Sequence, residues 1–269
     1  MVDNFQFKEN YDINDLVDIV EILRSPDGCP WDREQDHKSI RRDFLEETYE
    51  VIEAINKDDR DGLLEELGDV LLQVVFHTQI EREKGSFELS DVADGICKKM
   101  IERHPHVFGD VNAETSEQVL ENWDVIKKQT KSQKTQTESM LSIPREFPAL
   151  MRADKVQKKA AKVGFDWDSA DGAFDKVSEE IAELKEAVLK GEQNHIHEEF
   201  GDLLFSVVNV SRFIKVDSEE ALTCATDKFI DRFSKVEQMA KDRGLVMKET
   251  SLEELDKLWD EAKLVSKKD

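Results

Sequence analysis

An acidic pattern occurs twice in this chain at one spacing. Glu46-Glu47-x-x-Glu50 is followed, sixteen residues after Glu50, by Glu66-x-x-Asp69, and Glu179-Glu180-x-x-Glu183 is followed, sixteen residues after Glu183, by Glu199-x-x-Asp202. The second half of each pattern keeps its surroundings: Glu65-Glu66-Leu67-Gly68-Asp69-Val70-Leu71 against Glu198-Glu199-Phe200-Gly201-Asp202-Leu203-Leu204. A pattern repeated in this way is the mark of a duplicated supersecondary unit. Residues three apart share one face of a helix, so each acid pair projects together. A short link between the two helices of a copy makes them antiparallel and lets the pairs converge. Trp31-Asp32 and Trp167-Asp168 precede the motifs, while Lys99-x-x-x-Arg103 resembles Lys228-x-x-x-Arg232 and Trp123-Asp124-x-x-Lys127 resembles Trp259-Asp260-x-x-Lys263. Spacers between these later features differ by several residues.

Apolar periodicity predicts helices over 12–24, 39–55, 60–84, 90–103 and 116–127, and again over 149–162, 171–190, 194–214, 218–242 and from Ser251 onward. Residues 25–31 read as a loop, because Pro26, Gly28 and Pro30 punctuate them. The stretch Leu63–Phe76 is apolar enough to predict that much of its helix is buried. No segment reads as a strand. The expectation is an all-α protein of two tandem four-helix domains, 1–128 and 148–269, joined by a linker at 129–147 whose first part is polar and low in complexity.

A formal net charge of −23 repels a polyphosphate backbone, which argues against tight binding of a nucleic-acid polymer. No stretch approaches a membrane span, and the acidic start of the chain carries no apolar run. Three cysteines far apart in sequence form no paired framework. A reducing cytoplasm is the compartment these features predict.

Four carboxylates converging on a small space bind either protons or a metal. All-oxygen donors select Mg²⁺, with Mn²⁺ as the alternative, rather than Zn²⁺. Mg²⁺ keeps waters and bridges to substrate phosphates, which points to metal-assisted attack of water on phosphorus. Glu180, Glu183, Glu199 and Asp202 are one candidate set. Glu47, Glu50, Glu66 and Asp69 are the second. Lys176 lies one turn before Glu180, Lys228 and Arg232 share a face, and Trp259 is a candidate for stacking on a base. Lone cations are also ordinary surface charge, and a tryptophan on an amphipathic helix is also ordinary core. His195 and His197 precede the second acid pair as candidate phosphate contacts or as a solvated helix start.

Cys29-Pro30-Trp31-Asp32-x-x-Gln35-x-His37, the two acid motifs, Arg103-His104-Pro105-His106-Val107-Phe108 and Lys162-Val163-Gly164-Phe165-Asp166-Trp167 together resemble the MazG-type nucleoside triphosphate pyrophosphohydrolases in their two-domain form. The resemblance covers nearly the whole chain. It implies a homodimer with the pocket near the subunit contact, and Mg²⁺-dependent cleavage of NTPs and dNTPs between the α and β phosphates. It credits the C-terminal copy with catalysis. By resemblance Glu180, Glu183, Glu199 and Asp202 are the metal ligands, and Lys176, Lys228, Arg232, Trp259 and Lys127 contact substrate. His195 stands where the family usually has lysine.

The copies differ where phosphate is expected. Lys176 is matched by Asp43 and His195 by Gly62, so the N-terminal copy keeps its acids and loses cationic groups. It is expected to bind metal weakly or hydrolyse poorly, with His37, Arg103, His104 and His106 serving structure or dimer contact. A di-iron bundle is a competing reading through Glu34-x-x-His37 and Glu192-x-x-His195. A non-catalytic module that binds nucleotides or a partner protein is the other. No heptad persists long enough for a coiled coil.

Overall fold

The structure is a computed structural model that describes residues 5–111, 115, 118–119, 123 and 135–265. Among the described residues there is no strand, and the chain divides into two compact units, Met1–Thr130 and Lys131–Asp269. Lys127 and the expected cap Ser116 lie outside the described residues.

Unit 1 contains α1 (Ile13–Arg24), α2 (Pro30–Glu34), α3 (Arg41–Asn56), α4 (Arg60–Glu83), α5 (Leu89–Arg103) and α6 (Pro105–Phe108). Its core is Val20, Ile40, Val75, Phe76 and Ile80, where α1 meets the second half of α4. The short α2 starts inside the stretch 25–31 read as loop and runs on past it. Pro30 opens it with a preset φ, and Arg24 donates to its last carbonyls, Asp32 O at 2.6 Å and Gln35 O at 3.0 Å. Arg24 is buried and ties three elements together. Its Nε and Nη2 reach the Glu83 carboxylate at 2.7 and 2.8 Å, and its guanidinium lies 5.1 Å from the Phe76 ring centre. His104-Pro105 does end α5, and the proline then starts a single further turn, α6.

The expectation of a largely buried α4 needs correction. Leu64 is 77% exposed and Leu67 50%. The residues of α4 that join the unit 1 core are Leu72, Val75, Phe76 and Ile80, all in its second half. Apolar composition exceeded what its neighbours within unit 1 cover.

Unit 2 contains α7 (Gln136–Leu141), α8 (Ala149–Ala161), α9 (Ala170–Lys190), α10 (Gln193–Phe213), α11 (Ser218–Asp242), a 3-10 turn (Met247–Glu249) and α12 (Leu252–Val265). The α7 helix falls inside the segment expected as linker. Thr135 accepts from the Glu138 backbone N–H while the Glu138 side chain accepts from the Thr135 N–H, a capping box that starts a helix in a polar stretch. A hairpin of α9 and α10 dominates the unit, and a second cluster of Val236, Ala240, Leu258 and Ala262 joins α11 to α12.

Both hairpins turn through one left-handed residue at the matching position. Asp58 has φ 53° between α3 and α4, and Gly191 has φ 71° between α9 and α10. Glycine adopts this region without penalty and aspartate tolerates it.

A histidine pair makes unit 1 sensitive to acid. His37 Nδ1 lies 2.8 Å from His77 Nδ1, and His37 Nε2 lies 2.6 Å from Glu81 Oε1. Glu81 accepts from His37 Nε2, and the two Nδ1 atoms share the hydrogen bond between the rings. Burial, and then the facing His37, holds His77 below its ordinary value of 6.5. Lys84, and then His37, holds the Glu81 carboxyl down at about 2, against an ordinary 4.5. Both shifts have the same sign in the linkage: the unfolded chain takes up protons that the folded unit resists. Stability from these groups is present at neutral pH and is lost as pH falls, first from 6.5 downward at His77, then from 4.5 toward about 2 at Glu81. Thermal melts from about pH 7.5 to pH 5 should show a falling transition, and His77→Gln should flatten it. An unchanged slope in the variant would remove His77 as the source.

Candidate functional site

The helix hairpins bring together three of the four acids expected to converge in each copy. In unit 2, α9 carries Glu180 and Glu183, and α10 carries Glu199 and Asp202. Ligand oxygens of Glu180, Glu199 and Asp202 all lie within 4.8 Å of one another. Glu180 is only 4% exposed and Glu199 9%. Burying two carboxylates this close is costly unless cations offset the charge. Glu183 stands outside that trio but feels it: lost hydration, then the Glu199 and Glu180 charges, push its carboxyl upward.

Two basic groups already lean on the trio. Lys176 Nζ reaches Glu180 Oε1 at 2.6 Å and Glu179 Oε1 at 2.8 Å, and these two acids raise its proton affinity. His195 Nε2 meets Glu199 Oε1 at 2.8 Å. The family's lysine position is thus filled by a ring that contacts a candidate ligand.

Unit 1 repeats the arrangement without the bases. Oxygens of Glu47, Glu66 and Asp69 cluster within the same 4.8 Å limit. Lost hydration, followed by the Asp69 and Glu50 charges, raises the Glu47 carboxyl. Lost hydration, then Glu50, raises Glu66. Glu50, like Glu183, stands outside the trio. Asp43 and Gly62 occupy the places of Lys176 and His195, so among the described residues no cation takes the place of those two bases. The donor chemistry of both trios, all carboxylate oxygen under like-charge strain, fits a hard divalent cation.

A pocket of about 330 Å³ opens beside the unit 2 trio, lined by Trp167, Ala173, Lys176, Glu180, Asp202, Phe205, Ser206 and Asn209. Larger cavities elsewhere in the described residues touch neither trio. The Trp167 ring sits directly on Gly172: a Cβ there would come within 2.2 Å of Cδ1. Glycine at that position lets the indole form the pocket wall.

Lys228, Arg232 and Trp259 are not among the lining residues. Lys228 is exposed on α11, and Trp259 packs against the cluster joining α11 to α12, with Phe229 at 5.0 Å between ring centres. The Arg232 Nε is buried without a hydrogen-bond partner. Sequence reasoning did not find Ser206, Asn209, Arg212 or Asp166. Their signal lay in comparing the copies beyond the acid motifs, where seven residues after Asp69 is Phe76 and seven after Asp202 is Asn209.

The profile of the MazG nucleotide pyrophosphohydrolase domain matches residues 35–108 and 171–237, one match over each hairpin. The chain is 49% identical over 249 residues to the nucleoside triphosphate pyrophosphohydrolase/pyrophosphatase MazG of Thermotoga maritima, covering 93% of this chain and 94% of that one. It is 45% identical over 256 residues to the nucleoside triphosphate pyrophosphohydrolase of Escherichia coli K12, covering 93% and 97%. The uncharacterized protein YabN of Bacillus subtilis is 48% identical over 247 residues, which span 91% of this chain and 50% of that relative. Two domain matches on the two acid hairpins, together with full-length similarity, lead to one assignment: the chain belongs to the MazG family.

Proposed function

We propose that this protein hydrolyses nucleoside triphosphates at the α–β anhydride, giving nucleoside monophosphate and pyrophosphate, with Mg²⁺ held in unit 2. The observation that carries this reading is the trio of buried Glu180 and Glu199 with exposed Asp202, beside a pocket that also holds Lys176.

A divalent ion bound there supplies Lewis acidity and lowers the pKa of a coordinated water. Glu180, Glu183, Glu199 and Asp202 are the residues that would hold it. Water adds to phosphorus, the bridging P–O bond breaks, and pyrophosphate leaves with the bond's electron pair. One of these carboxylates would also accept the water proton. Lys176 Nζ, now shared between Glu179 and Glu180, donates to phosphate oxygens and offsets their charge. His195 orients Glu199 through Nε2.

Lys228, Arg232, Trp259 and Lys127 are the further substrate contacts in this reading. We place Lys228, Arg232 and Trp259 at the pocket of a homodimer, as the remaining wall. Supporting a second copy, α10 exposes Phe200, Leu204 and Val207, and α11 exposes Leu222, Phe229 and Ile230. Exposed apolar side chains in this number suit a surface that a second copy covers. The alternative chemistries are separable by product, so incubation with four NTPs and Mg²⁺ is the test. Pyrophosphate with monophosphate is expected. Orthophosphate with diphosphate would sink the reading, and no turnover would favour a nucleotide-binding module. No described helix is long and apolar enough to cross a membrane. The three cysteines are free, which suits the cytoplasm we propose as compartment.

A further inference from the structure

A buried amide at the end of the unit 2 pocket has no role in the chemistry above. Asn209 lies on α10, seven residues beyond Asp202 and so on the same face two turns on, about 10.5 Å along the helix. Its position is 7% exposed. The matching position in unit 1, Phe76, is also 7% exposed and is part of the apolar core. The fold therefore buries this position in both copies, and phenylalanine satisfies it. Placing an amide there costs free energy unless its polar atoms are used.

Half of the amide is used internally. Arg212 donates to Asn209 Oδ1 from Nε at 3.1 Å and from Nη2 at 2.8 Å. Arg212 is itself fixed by the Asp166 carboxylate, reached by Nη1 at 2.7 Å and also by Nη2. Arginine offers only donors, so this contact assigns the amide orientation: Oδ1 faces Arg212 and the NH₂ group faces away from it. No hydrogen bond from Nδ2 is formed among the described residues, while Asn209 itself lines the pocket. Phe205, Ala173 and the Trp167 indole make the lining around it apolar, and Lys176, Glu180 and Asp202 make the other end charged. Unit 1 has neither the amide nor the clamp, since Gln79 stands where Arg212 does.

Resting on the triphosphate reading of this site, we propose that Asn209 is a specificity-determining residue whose Nδ2–H donates to the exocyclic carbonyl of the nucleobase, O6 of a purine or O4 of a pyrimidine, with Arg212 and Asp166 as its positioning residues. Phosphates occupy the carboxylate end, which leaves the base edge remote from the sugar to meet Asn209. Because Oδ1 is occupied by Arg212, the side chain offers a donor and no free acceptor. Bases with a carbonyl at that edge, guanine and uracil, match it. Adenine and cytosine present an amino group there and do not.

Asn209→Asp tests this, because it replaces the donor by an acceptor while keeping the partner for Arg212. With Mg²⁺ and the full chain, kcat/KM for GTP and UTP should fall about tenfold to a hundredfold relative to ATP and CTP. Arg212→Gln should erode the same preference through KM with kcat nearly kept, a split that general destabilisation would not give. Equilibrium binding of the α,β-methylene analogues of GTP and ATP, which cannot be cleaved at that link, should show the same reversal without turnover. Equal losses for all four nucleotides, with wild type active, would overturn the role of Asn209 and leave the proposed activity standing. Wild type that releases no pyrophosphate from any of the four would overturn the activity itself, and unchanged analogue binding in Asn209→Asp would then overturn the base contact as well.

Discussion

Glu199→Ala should lower pyrophosphate release by at least about a hundredfold, whereas Glu66→Ala, its counterpart in unit 1, should leave the rate within about twofold. Both side chains belong to a carboxylate trio on a helix hairpin. They differ in what surrounds them. The unit 2 trio has Lys176 on Glu180 and His195 on Glu199, and a pocket beside it. The unit 1 trio lacks both of those bases, and lost hydration followed by like charges raises Glu47 and Glu66. A site that cannot compensate the triphosphate charge has little to offer catalysis even when its acids are in place. Steady-state rates on one NTP, with helix content checked by circular dichroism, decide the matter. Equal losses in the two variants would mean that both copies contribute to turnover.

Arg24→Ala should destabilise unit 1 by about 2 kcal/mol. The guanidinium is buried, and its removal takes the donor from the Gln35 carbonyl and leaves Asp32 O with the Gln35 N–H alone. Glu83 keeps Gln79 as a donor and is exposed enough for water to replace part of the ion pair, so most of the loss comes from the uncapped carbonyls and the contact with Phe76. Urea unfolding of the intact protein should show the unit 1 transition at lower denaturant, and Arg24→Lys should recover only part of the loss, since one ammonium cannot serve four acceptors. A midpoint equal to wild type would show that α2 holds without this cap.

The helices and the acid trios were legible because they follow from short-range rules. Three-residue spacing puts Glu199 and Asp202 on one face, and a brief link makes the hairpins antiparallel. Other features depended on partners that periodicity does not encode. The α2 turn needs Arg24 from another helix, and α7 forms in a polar stretch because Thr135 and Glu138 cap each other. Exposure of Leu64 and Leu67 depends on how many neighbours α4 has within its own unit. At the site, Asn209 escaped notice because a single buried asparagine has no motif. Its meaning arises from contact with Arg212 and from contrast with Phe76. Trp259 was read as a base-stacking candidate, and within unit 2 it sits against the apolar cluster of α11 and α12.

The left-handed residue in each hairpin also acts as a gauge of length. Asp58 and Gly191 sit at equivalent steps of the two copies, and the distance from Glu50 to Glu66 equals that from Glu183 to Glu199. Adding one residue between paired helices would turn the second helix by about 100° and slide it about 1.5 Å, carrying its two acids off the shared face. Segments elsewhere have gained and lost residues between the copies. These turns tolerate none, so the duplicated chain has kept its acid geometry in register even in the copy that lost its bases.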